Sequence, residues 1–135
     1  MRHSIFVAVA AAGLLAASAA SAEMVHYSAK LAGAAGVKGG GDVFAMLDGK
    51  NFSYTVNYKD LTGPAVAAHF HSAATVGGNG PPIVPATNVG TSPIKGTATL
   101  TDAQIADLNA GKVYFNVHTA ANPGGEVRGD LKATK

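Results

Sequence analysis

The sequence predicts an all-β protein, a Greek-key β-sandwich with one short helix, and three observations carry that expectation. Apolar and polar residues alternate with a period of two over about seven short runs, each bounded by turn residues. Seventeen glycines and six prolines punctuate the chain, while Trp and Cys are absent. Only one stretch, Thr101 to Gly111, changes to helical spacing. Many short strands joined by hairpin turns favour a sandwich over a helical bundle.

The elements follow in order. Val25, Tyr27, Ala29 and Leu31 alternate with His26, Ser28 and Lys30, which is the pattern of a half-buried strand. Gly33 to Gly41 is a glycine-rich break. Asp42 to Leu47 and Asn51 to Tyr58 flank Asp48-Gly49-Lys50, a hairpin signal, and Phe52, Tyr54, Val56 and Tyr58 share one face as packing residues. After the Thr62-Gly63-Pro64 turn, Ala65 to His71 forms the next strand. Residues 72–96 are a long polar Gly- and Pro-rich stretch, expected to hold a short strand near Ile83 with mobile segments around it. Lys95 to Leu100 makes another strand. Thr101-Asp102-Ala103-Gln104 is a capping box, Leu100 and Ile105 a hydrophobic staple, and Gly111 a left-handed stop, giving about two helical turns. Lys112 to Thr119 returns to strand. Asn122-Pro123-Gly124-Gly125 is a turn whose glycines supply positive φ. Glu126 to Leu131 runs back with Val127 and Leu131 inward and Glu126, Arg128 and Asp130 outward.

The first 22 residues read as a cleaved signal peptide. Arg2 and His3 form a basic start, Ile5 to Ala17 an apolar core, and Ala20-Ser21-Ala22 the small-x-small cleavage pattern. Residues 23–135 are then expected to be a single exported domain, periplasmic or secreted, without a membrane span. Without Arg2 the chain has nine basic and eight acidic side chains, a balance that argues against nucleic-acid or polybasic membrane partners. With no cysteine, a metal site would need His, carboxylate or Met ligands.

The residues with the most chemical promise are three histidines. His69 and His71 in Ala-His-Phe-His share one strand face while Phe70 takes the other, and His118 opposes Val113, Phe115 and Val117. All three are expected outward, and if their strands are neighbours they converge. Three neutral imidazoles can bind copper or zinc, with water, His26 or Glu126 completing the set. The plainer alternative is that His69 and His71 bond to loop backbone and to Arg128 or Asn116, fixing the 72–96 loop. His26 falls one place too late for an amino-terminal copper motif. Arg128 pairs with Glu126 or Asp130 on the surface, or else guides anions to the histidines. Glu126 is read first as solvated and second as a partner to a His nitrogen. No nucleophile elbow, phosphate loop or carboxylate pair is present.

Ala-His-Phe-His at 68–71, Gly-Gly-Asn-Gly-Pro at 77–81, Asp-Leu-Asn-Ala-Gly at 107–111 and above all residues 113–129 resemble the CHRD domain, first described in chordin and widespread in exported bacterial proteins. The resemblance covers nearly all of the chain after residue 22. Its amino-terminal part departs from the family pattern, with Leu31-Ala32-Gly33 as a remnant. It implies an immunoglobulin-like sandwich and an extracytoplasmic setting, and no particular activity. The site is also similar to the copper side of copper–zinc superoxide dismutases, where His69, His71 and His118 would match copper ligands and Arg128 the anion-guiding arginine. Residues 72–117 contain no His, so a zinc site and a bridging imidazolate have no counterpart.

Three readings of function follow. The favoured one is a non-enzymatic protein holding a transition metal, copper ahead of zinc, at His69, His71 and His118. The second is a copper redox enzyme resembling a superoxide dismutase, with Arg128 attracting the anion. The third is a metal-free module that binds another envelope protein.

Overall fold

In the computed structural model, which describes residue 13 and residues 23–134, the strands are β1 (Val25–Ala32), β2 (Gly40–Asp48), β3 (Asn51–Lys59), β4 (Ala65–Ser72), β5 (Pro82–Pro85), β6 (Ile94–Thr99), β7 (Val113–Thr119), β8 (Val127–Asp130) and β9 (Lys132–Ala133), with one helix, α1 (Asp102–Asn109). The expected signal peptide falls outside the described residues, Gly13 apart. The protein is all-β with one short helix. Among the described residues no helix is long and apolar enough to cross a membrane.

The strands hydrogen-bond in the order β5-β4-β7-β8-β1-β2-β3-β6, and β9 adds to β1. Every pairing is antiparallel. The neighbours β4 with β7, β3 with β6 and β1 with β8 are distant in sequence, so the chain crosses from layer to layer as a Greek-key arrangement requires. The sheet coils until its two halves face each other. Phe70 on β4 meets Phe52 and Tyr54 on β3 edge-on, at centroid separations of 5.1 and 4.8 Å. Phe115 on β7 lies 4.7 Å from Phe70, and Val43, Val56, Val117, Val127 and Leu131 fill the same core. These apolar positions fix register, because a slip of one residue would send each of them to solvent.

Local chemistry explains the boundaries. The Thr101 hydroxyl accepts from the Gln104 amide, and the Gln104 side chain accepts from the Thr101 N–H, so the capping box forms. Leu100 and Leu108 are buried, and Gly111 ends the helix at φ 75°. The glycine break is shorter than expected. Gly40 and Gly41 join β2, and a Cβ on Gly41 would stand 1.9 Å from the Asn57 carbonyl oxygen. The last strand begins one residue late, at Val127, and β9 was not foreseen. Two residues of intermediate composition carry no periodicity from which a strand could be read.

Candidate metal centre

Antiparallel β4 and β7 place His69 opposite Asn116, His71 opposite Tyr114 and Ala67 opposite His118. The three histidines therefore stand on one outer face while Phe70, Phe115 and Val117 point into the core. Imidazole centroids are 5.2 Å apart for His69 and His118, 5.5 Å for His69 and His71, and 6.3 Å for His71 and His118. One ring nitrogen from each lies within 4.8 Å of the others. His69 Nδ1 and His118 Nε2 are 3.4 Å apart, the separation that two metal–nitrogen bonds of about 2.0–2.1 Å give in a tetrahedron.

Backbone carbonyls set the tautomers. His71 Nδ1 lies 2.8 Å from the Gly80 oxygen and His118 Nδ1 lies 2.8 Å from the Pro123 oxygen. A carbonyl only accepts, so in each ring Nδ1 carries the proton and a neutral Nε2 presents its lone pair. His71 is 9 % exposed, and its Nε2 is buried without a hydrogen-bond partner. Leaving a buried acceptor unpaired costs about 1–3 kcal/mol. Burial, reinforced by the neighbouring His118 and His71, holds the His69 pKa below the usual imidazole value. At neutral pH this favours lone pairs over protons.

The outward expectation needs a correction. The histidines lie outside the core, but a loop covers His71, and the strand carrying His118 is otherwise buried through Val113–Val117. Arg128 does much of this work. Its guanidinium lies 3.5 Å from the centroid of Tyr114, while the other neighbour of that ring, His71, stacks on it at 4.8 Å with a 10° interplanar angle. Arg128 also donates to Asn79 Oδ1 at 2.7 Å, to the Gly78 carbonyl at 2.6 Å and to Asp130 at 3.2 Å. Tyr114 receives the Gly80 N–H and donates to the Gly80 oxygen. The Gly77–Gly80 segment, expected to be mobile, is thus tied to β7 and β8. Gly80 must be glycine, because an added Cβ would lie 1.8 Å from the Ser72 carbonyl oxygen.

Two other expectations also change. Arg128 pairs with Asp130, as one alternative held, and it also lies on the Tyr114 ring and donates to Gly78 and Asn79 of the loop. Glu126 is neither solvated nor bonded to a histidine. It is 3 % exposed and accepts from the Thr62 N–H and hydroxyl, the Thr119 hydroxyl and the Asn122 amide. The Thr62 hydroxyl bond, against the opposing effect of burial and with help from the remaining donors, holds its pKa below the usual carboxylate range. Glu126 therefore fastens the 119–125 turn that presents the Pro123 carbonyl to His118. Of the turn glycines, only Gly125 has positive φ.

His26 stands on β1 in the other layer and does not join the three histidines. A fourth donor from Glu126 or His26 is thereby unsupported. Asn116, beside His69 in register, has a buried Oδ1 with no partner. The residues missed in the sequence were Gly80 and Pro123, because a carbonyl's role leaves no mark on residue type.

The family model of the CHRD domain matches residues 27–131. No curated protein and no solved structure matches the chain.

Proposed function

The chain belongs to the CHRD domain family, and we propose that it is an exported binding protein holding one transition metal, copper ahead of zinc, at His69, His71 and His118. The observation that carries this reading is the buried, unpartnered Nε2 of His71, kept in its lone-pair form by the Gly80 carbonyl. A metal ion would satisfy that nitrogen and relieve its cost. An all-imidazole set with no carboxylate favours copper, which binds nitrogen donors more tightly than zinc does. Export rests on the basic, apolar and small-residue pattern of residues 1–22.

The test is elemental analysis of the purified protein, with competitive Cu⁺, Cu²⁺ and Zn²⁺ titrations beside the H69A/H71A/H118A variant. One more metal per chain in the unmutated protein than in a variant that keeps its β-sheet circular dichroism is the expected result. Equal binding by both proteins overturns the assignment of the ligands. No saturable binding by either favours the metal-free interaction module, in which the histidines anchor the loop. The redox reading is weakened by the commitment of Arg128 to Gly78, Asn79 and Asp130. Superoxide turnover by the copper-loaded protein above that of equal aqueous copper would restore it.

A further inference from the structure

The opposite layer carries a second set of metal-capable side chains that the three-histidine reading does not use. His26 on β1 is the direct cross-strand partner of Met46 on β2. The His26 carbonyl accepts from the Thr134 N–H at 2.8 Å, so its backbone polar groups point toward β9 and away from β2. His26 and Met46 therefore form a non-hydrogen-bonded pair, the type in which Cα atoms approach to about 4.5 Å and side chains are closest. Met24 lies two residues before His26, immediately before β1 begins, and is 54 % exposed. These are the two methionines among the described residues, one the cross-strand partner of His26 and the other two residues before it in sequence. No hydrogen bond or ion pair engages the His26 ring among the described residues, and Phe44, 55 % exposed, forms an apolar wall beside Met46.

We propose that Met24, His26 and Met46 form a separate surface site for a soft monovalent cation of the Cu⁺ or Ag⁺ class. The two thioethers are soft, uncharged donors that favour Cu⁺ over Zn²⁺, and the imidazole adds a nitrogen donor that either metal accepts. Methionine side chains are unbranched and adaptable, so both sulfurs can turn to an ion held at the imidazole. The site needs no buried orphan atom, and its open position suits a rapidly exchanging ion. It stands independently of the three-histidine centre, since its residues lie on the other outer face.

The experiment is an Ag⁺ titration of protein labelled with ¹³C at the Met methyl groups, in the H69A/H71A/H118A background. Leu variants at 24 and 46 assign the two resonances. Both methyl signals and the His26 ring signals should shift together and saturate at one equivalent, with Zn²⁺ leaving the methyls unmoved. M46L or H26A should weaken the midpoint at least tenfold. Methyl signals that do not move, or that move without saturation, overturn the proposal, as does an H26A variant with an unchanged midpoint. If the triple variant fails to fold, the same titration of the unmutated protein reads the methyl groups directly. The result does not depend on whether the three histidines hold a metal.

Discussion

The two outer faces of the sandwich each carry histidine at an outward-pointing strand position, yet they are built differently. On β4 and β7 a loop closes over the rings, two carbonyls dictate which nitrogen is protonated, and one lone pair is buried without a partner. On β1 and β2 the His26 ring is exposed, and no hydrogen bond among the described residues imposes a tautomer on it. The contrast teaches that residue type and strand parity deliver an imidazole to a surface, whereas backbone acceptors from elsewhere in the chain make it preorganised.

The largest test of the comparison removes what both faces share. Phe70→Ala empties the centre of an aromatic cluster joining the layers and should cost about 3–5 kcal/mol of stability in a denaturant titration. Next, His71→Ala should weaken Cu²⁺ binding at least about 100-fold while His26 variants leave that Cu²⁺ affinity unchanged, as read by competition with a chromogenic chelator. Gly80→Ala should lower the same affinity about 10- to 100-fold. It forces the loop away from Ser72 and shifts the carbonyl that orients His71.

Smaller effects sharpen the contrast. Glu126 has a folded pKa below its unfolded value of about 4.3. At pH between those values the unfolded state binds more protons, so stability rises with pH there. The contribution is full above about pH 4.3 and is lost as pH falls through the lower folded value. Thermal melts between pH 5 and pH 2 should show that decline in the unmutated protein and a shallower one in Glu126→Gln. The smallest effect belongs to His26→Ala, expected to change stability by no more than about 0.5 kcal/mol. A larger loss would mean that this face is structurally committed.

Much of the fold was legible because it rests on local rules. The period-two runs located β1 to β4 and β6 to β8 to within a few residues, the short apolar piece at Ile83 located β5, and the Thr101–Gln104 capping box located α1. Errors came where tertiary contact overrides local pattern. Gly41 belongs to a strand because only glycine fits against Asn57, and Tyr114 and Asn116 are outward yet buried because a loop lies over them. Glu126 looked like a surface carboxylate because its four donors come from Thr62, Thr119 and Asn122, and Thr62 lies 64 residues away.

The sequence by itself determined which side of each strand His69, His71 and His118 occupy, because side-chain parity is a property of extended backbone. Only the tertiary structure decided that the three rings meet. That outcome depends on β4 pairing with β7 across more than forty residues, in one register, held by Phe70 against Phe115. It also decided which ring nitrogens offer lone pairs, because the Gly80 and Pro123 carbonyls reach His71 and His118 only once the loop and the turn are folded over the sheet.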